Sequence, residues 1–364
     1  MTLHRILLLI CVSLIFAIGL VMIFSTTSAE VLDHDLDRST HHALMRQLYY
    51  AVAGFALALG VGKMGYRNLL AYSPVILAIF AVLLVLTLIP GVGREVNGSR
   101  RWLGIAGFSF QPSEFVKYLV PAYFIHRLLE YRNKPLPLRD FLKMVGIVIV
   151  PLLLIMVEPN NGTAAVIGMT LTVVCLLMHV PVKYWAVPLC VFGLVGGVFA
   201  SQLPYVTARL RVYMHPELDL KGKGHQPYQA KIAAGSGQLF GKGPGNSWQK
   251  LSYLPEAQND YIAAIYAEEF GFIGILTLIA LYMMLGYCGF AIASQTTDPA
   301  ALYLGGAVTF LICFQAFLNL GVVSGLLPST GLNLPLFSQG GTSLIANMMG
   351  IGILHEVAKG TPSP

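Results

Sequence analysis

Three carboxylates stand at the head of an apolar run: Asp260, Glu268 and Glu269, reached through a long polar stretch that begins near Tyr205. Carboxylates beside or inside a membrane span are costly to desolvate, and a sequence that keeps them there marks a site by default. The segment reads Asn259-Asp260-Tyr261, and one of the two polar residues is enough to cap the helix that follows. That leaves Asp260 available as the reacting group, a general base at the mouth of the span. Glu268 and Glu269 lie about two turns further on. At least one of them must face the protein interior, so both are read as structural and electrostatic support.

Other segments supply cations and turns. Gly98-Ser99-Arg100-Arg101-Trp102 suits an interfacial phosphate grip, with Arg101 as the candidate. In Gln111-Pro112-Ser113-Glu114-Phe115-Val116-Lys117, Pro112 and Glu114 mark a helix start. Glu114 and Lys117 are spaced to pair on one face, which explains that segment without a ligand. Both are also carried as substrate-binding candidates. Two glycine-rich runs, Lys231 to Gly237 and Gly241 to Asn246, expose backbone N–H groups able to hold phosphate oxygens. Such loops are weak signals singly, and Lys231 and Lys242 beside them strengthen a diphosphate reading. Glu158-Pro159-Asn160-Asn161-Gly162-Thr163 reads as a plain turn. The block from about 325 to 342 is neither a long helix nor a soluble loop. Non-helical backbone at membrane depth is tolerated only when buried or lining a cavity, so this block is expected to be a re-entrant wall of the site.

The elements that position these residues are set by composition. The chain has 364 residues, of which 56% are hydrophobic and 11% charged, with a mean hydropathy of +0.70. Soluble domains carry about 25% charged residues, so this is an integral membrane protein. Apolar runs at about 6–24, 43–62, 69–90, 114–129, 141–157, 163–180, 184–203, 262–292, 301–323 and 342–358 predict an all-α protein. It has about ten transmembrane helices, each near the roughly 20 residues that a span needs. Residues 1–364 form a single membrane domain with one long loop at about 204–260 between the seventh and eighth helices. The first run exceeds the roughly 7–15 residues of a signal-peptide core and reads as an uncleaved span. The five cysteines all lie in apolar runs without paired spacing and read as small core or lipid-facing residues.

Short loops orient the chain. Residues 63–67, 127–143 and the N-terminus are basic, whereas residues 30–42 hold Glu30, Asp33, Asp35 and Asp37 against Arg38. Both termini are therefore expected in the cytoplasm, and the long loop on the outer face. Arg94, Arg100 and Arg101 then sit on a short outer loop, against the charge rule, which points to an anionic ligand such as a lipid phosphate. The net charge of +6 fits contact with membrane lipids, and no nucleic-acid partner is expected. No internal repeat, Walker loop, paired Cys/His spacing or Gly-x-Ser-x-Gly elbow is present.

Taken in order, Gly98 to Trp102, Gln111 to Lys117, Pro159 with Gly162-Thr163, Tyr228-Gln229, Gly241 to Lys250, Leu254 to Gly271 and Pro328 to Ser343 resemble the SEDS family. Its members serve shape, elongation, division and sporulation. Gly245-Asn246-Ser247 to Lys250, with Gln315 and Asn319, is more similar to the division branch typified by FtsW than to RodA. The resemblance implies a peptidoglycan glycosyltransferase that polymerises lipid II on the outer face of the bacterial cytoplasmic membrane. It would work with a class B penicillin-binding protein and other division proteins. The family's essential aspartate falls on Asp260. The resemblance extends the substrate-binding set to Gln229, Ser338 and Glu256, the last as a helper. It assigns no firm cofactor. A divalent cation stands beside Arg101, Lys117 and Lys231 as a candidate to neutralise the leaving diphosphate. Departures fall at Glu158-Pro159-Asn160 for Gln-Pro-Asp, Pro227 for Gly, Asn259-Asp260-Tyr261 for Thr-Asp-Phe, and Ser338-Gln339-Gly340-Gly341 for Ser-Tyr-Gly-Gly. The alternatives are a lipid II flippase and a scaffold for division partners.

Overall fold

The computed structural model describes residues 3–34, 40–96, 99–105, 108–202, 206–207, 212–214, 224–251, 254 and 257–360. Each apolar run marked in the sequence carries a helix. These are α1 (Leu3–His34), α2 (His42–Met64), α3 (Tyr66–Leu88), α4 (Ser113–Leu129), α5 (Leu138–Val157), α6 (Asn161–Leu177), α7 (Val182–Gln202), α9 (Ile262–Ser294), α10 (Pro299–Val323) and α11 (Gly341–Val357). A shorter helix, α8 (His225–Ser236), lies in the polar stretch. Among the described residues six helices, α1, α2, α3, α5, α9 and α10, are long and apolar enough to cross a membrane. Hydrocarbon offers no partner to a backbone N–H or C=O, so an apolar run of this length can satisfy its backbone only as a helix.

α10 is the central post. In its most apolar window 67% of the residues are buried, against 22–39% in the other five long helices. It packs on α9 and α6, while α1 packs along α9 and α2 along α11. The α2–α11 crossing is close, because a Cβ on Gly352 would sit 2.8 Å from the Ala58 backbone. Small residues at a crossing let membrane helices approach in this way.

One expectation is corrected. The stretch between α3 and α4 is not a featureless link but an antiparallel sheet of β1 (Gly93–Val96), β2 (Ser99–Ile105) and β3 (Phe108–Phe110), in the order β1-β2-β3. The chain is therefore mostly helical rather than all-α. Alternation along β2 sends its two arginines to opposite faces. Arg100 stays at the surface and pairs with Glu95 at 2.9 Å, whereas Arg101 shares a face with buried Leu103 and turns inward.

α9 has 33 residues, and it is broken at Gly271 (φ 67°, ψ −165°). The break frees the carbonyls of Glu268 and Glu269 and the N–H groups of Phe272 and Ile273, which would otherwise bond one another. The loop after α8 takes all four. Lys242 N and Gly243 N donate to the carbonyls of Glu268 and Glu269 at 2.9 and 3.0 Å. Phe272 N and Ile273 N donate to the carbonyls of Gln238 and Leu239 at 2.9 and 3.2 Å. This explains the glycines of the loop differently from a phosphate cradle. A Cβ on Gly237 would sit 2.0 Å from the Ala267 carbonyl oxygen, and one on Gly241 2.2 Å from that of Glu269. Only glycine allows the loop so near the helix.

The two carboxylates staple the same loop from their side chains. Glu268 accepts from Lys242 Nζ at 2.6 Å, from Ser247 Oγ, and from the backbone N–H of Trp248 and Gln249. Glu269 accepts from Lys250 Nζ at 2.8 Å and from Ser25 of α1 at 3.2 Å. Removing one partner of a buried pair strands the other charge, at about 3–5 kcal/mol. Lys250→Met is therefore expected to lower the stability of the detergent-purified protein by that order in thermal unfolding. Adding Glu269→Gln should recover most of it. A single variant that melts like the parent would show that the staple carries no weight.

Candidate active site

A polar cavity of about 530 Å³ opens where β2, the heads of α4 and α9, α2 and the segment between α10 and α11 converge. Asp260, Arg101 and Glu114 all line it, joined by Arg46, Gln47 and Tyr50 of α2, Asn160, Asn333 and Gln339.

Arg101 reaches the cavity across the end of α5. Its Nε donates to the carbonyl of Glu158 at 2.7 Å, and its Nη2 to the carbonyl of Pro159 at 2.6 Å and to Ser99 Oγ at 3.2 Å. A cation at a helix C-terminus also meets the negative pole of the helix, which fixes its direction. The Trp102 ring lies beside it, 5.9 Å from guanidinium carbon to ring centroid. Nη1 of Arg101 and Oδ2 of Asp260 each lie 3.9 Å from the point that a Cβ on Gly331 would occupy. Gly331, at φ +71°, thus lies beside both the cation and the carboxylate.

Asp260 is fixed through its backbone. Asn319 of α10 donates from Nδ2 to the carbonyl of Asp260 at 2.8 Å and to that of Leu332 at 2.7 Å. One amide thereby ties the head of α9 to the segment carrying Gly331. Four residues earlier on α10, Gln315 donates to the Asn333 carbonyl at 2.8 Å and accepts from Lys117 Nζ at 2.7 Å. Lys117, 1% exposed, also bonds Glu114 at 2.8 Å. α10 therefore presents two amides that hold the cavity wall.

The segment between α10 and α11 is non-helical and buried over Leu334 to Ser338. Its polar backbone is served by neighbours, as burial demands. Tyr282 OH donates to the Pro335 carbonyl, Gln47 Nε2 to that of Ser338, and Asn333 Nδ2 to that of Gln339. The hydroxyl of Ser338 accepts from Leu334 N at 2.8 Å, so it shapes the turn.

The other expected residues fall elsewhere. Ser338, Lys117, Lys231, Lys242 and Gln229 are not among the residues lining the cavity. Lys242 is engaged by Glu268, and the Lys231 side chain lies over Gly325. Glu256 lies outside the described residues. Arg46 and Gln47 were missed in the sequence, although an arginine and an amide opening an otherwise apolar span carry the same signal that singled out Asp260. Burial pushes Glu158, completely enclosed at the end of α5, up to about 8.

Asn319→Leu removes both of its donors while keeping the shape of the side chain. Each stranded buried carbonyl costs about 1–3 kcal/mol, so a loss of that order is expected in thermal unfolding. An unchanged melting temperature would show the tie to be idle.

Comparison with known proteins agrees with this architecture. The FtsW, RodA and SpoVE family, described as cell cycle proteins, matches residues 5–362. Stage V sporulation protein E of Bacillus subtilis is 38% identical over 356 residues, covering 97% of this chain and 96% of that protein. A protein of Nitrosomonas europaea named probable peptidoglycan glycosyltransferase FtsW is 33% identical over 358 residues, covering 97% and 92%. Among solved structures, a chain from a peptidoglycan synthase complex that coordinates polymerization and crosslinking superposes with a TM-score of 0.76. It is 26% identical, with 97% of this chain and 96% of that chain covered. With nearly its whole length matched, the chain belongs to the FtsW, RodA and SpoVE family of cell cycle proteins.

Proposed function

We propose that the protein is a peptidoglycan glycosyltransferase, polymerising lipid II into glycan strands on the outer face of the cytoplasmic membrane during cell division. One observation carries the reading: Asp260 and Arg101, from separate elements, line a single polar cavity, each with a side-chain atom 3.9 Å from the Cβ position of Gly331. A carboxylate and a fixed cation at that spacing suit a displacement that takes a proton at one end and releases an anion at the other. Ten spans, cytoplasmic termini and a single membrane domain belong to this reading.

The reaction is an inverting displacement. The Asp260 carboxylate accepts the proton of the acceptor sugar's 4-hydroxyl as that oxygen bonds to the donor's anomeric carbon. The bond from that carbon to the diphosphate oxygen breaks, and the polyprenyl diphosphate leaves with the electron pair. Arg101 and Arg46 neutralise the charge that develops on it. Diphosphate is a good leaving group and needs no acid partner, unlike the alkoxide of a glycoside hydrolase. Among the described residues no group of three His, Cys, Asp or Glu side chains comes together to hold a metal. A class B penicillin-binding protein is the proposed partner. Support comes from the similar solved chain, whose complex joins polymerization to crosslinking.

Purified protein with labelled lipid II, with and without that partner, tests the proposal. General-base catalysis is worth about 10²- to 10⁴-fold, so Asp260→Asn should lose polymerisation by that factor while melting normally. Polymerisation at the parent rate would remove Asp260 from the chemistry. Gly331→Ala, which places a methyl against Arg101 and Asp260 at a φ of 71° that disfavours a side chain, should raise the KM for lipid II. Lipid movement across vesicles that survives Asp260→Asn, with no polymer formed by the parent, would favour transport instead.

A further inference from the structure

Glu158 is a buried carboxyl that the reaction above does not use. It is 0% exposed and follows the last turn of α5, where helix carbonyls converge and an anion is disfavoured. Its Oε1 contacts the hydroxyl of Thr87 at the end of α3. Thr87 has one proton, and its hydroxyl donates to the Leu84 carbonyl at 2.6 Å. That one proton is shared between the Leu84 carbonyl and Oε1, so Thr87 is less than a full donor to a carboxylate. The second oxygen, Oε2, is buried with no hydrogen-bond partner, which a carboxylate could not sustain cheaply. Around it lie Thr87 from α3, Asn160 from the following turn and Arg101 from β2. Arg101 is the charged group among them that acts on it. The backbone carbonyl of this same residue and that of Pro159 hold the Arg101 guanidinium.

We propose that Glu158 is a protonation-controlled positioning residue for Arg101: neutral, it leaves the guanidinium directed into the cavity, and ionised, it draws that charge away from the diphosphate. The carboxyl proton passes to solvent when the group ionises, and no bond to substrate is involved. The sign follows from the raised value. Burial lifts the group to about 8 from an ordinary carboxyl value of 4.5, so the competent neutral form is present below about 8 and lost above it. The neutral acid also favours the folded state, and that advantage declines as pH rises from 4.5 toward 8.

The kinetic arm rests on the glycosyltransferase reading, and a second arm does not. Trp102 lies against Arg101, and Trp185→Phe with Trp248→Phe leaves it the sole tryptophan. Its fluorescence, titrated from pH 6 to 9.5, should change with a midpoint near 8. Glu158→Gln, which cannot ionise, should abolish the transition. Thr87→Val, which removes the hydroxyl that donates to the carboxylate form, should move the midpoint to higher pH. In polymerisation, one proton leaving near pH 8 predicts about a tenfold fall in kcat/KM between pH 7 and 9, carried by KM. Glu158→Gln should hold its pH 7 value across that range. A Glu158→Gln protein whose fluorescence titrates like the parent overturns the proposal, as does a downward shift in Thr87→Val. If the Trp102 transition depends on Glu158 but the parent forms no polymer, the positioning stands and the glycosyltransferase reading falls.

Discussion

Backbone that leaves the helix inside a membrane protein must still find partners, and this requirement governs the parts of the molecule that matter most. It applies twice. At Gly271 the α9 hydrogen-bond ladder is cut, and the loop after α8 inserts its own N–H and C=O groups into the gap. Between α10 and α11 a buried non-helical segment is held by side chains of α2, α9 and α10. In both places the polar groups that complete the backbone also fix the site. Glu268 and Glu269 bind the inserted loop, and Asn319 holds the carbonyl of Asp260 together with that of Leu332.

The cavity is therefore a product of irregular backbone supported by a rigid post. α10 passes beneath it and contributes no reacting group, yet its Gln315 and Asn319 determine where Lys117, Asn333 and Asp260 stand. Arg101 depends on a different support. It lies on a strand and caps the end of α5, where two carbonyls and the Ser99 hydroxyl hold its direction. A guanidinium held in this way keeps its charge available to the cavity while its hydrogen bonds keep it still. Gly331 completes the arrangement by leaving a space where any other residue would place a Cβ.

Charge is divided in the same economical manner. Lys242, which looks like a diphosphate ligand in the sequence, and Lys250 neutralise two buried glutamates beside α9. Lys117 does so for Glu114. Among the described residues the cations that line the cavity are two arginines, Arg46 and Arg101. Arginine suits a diphosphate better than lysine because its planar fork can hold two oxygens at once.

Much of this was legible in the sequence. Hydrophobic runs located every long helix, because in hydrocarbon a run of that length has one way to satisfy its backbone. Asp260 stood out for the desolvation cost of its charge, and Arg101 for breaking the charge rule on a short loop. The sheet of residues 93–110 was not legible, since its strands are three to seven residues long and depend on pairing with one another. Partner choice among the charged residues was not legible either. Lysines and carboxylates that are apart in the chain meet only when α9 breaks at Gly271 and the loop folds onto it. By itself, then, the sequence determined the membrane helices and the residues too costly to be idle, because both follow from local transfer energies. Tertiary structure alone decided which cations serve the fold and which face the cavity. Apart from Glu114 with Lys117, whose three-residue spacing announced the pair, these ion pairs are a matter of distance in space that no spacing along the chain encodes.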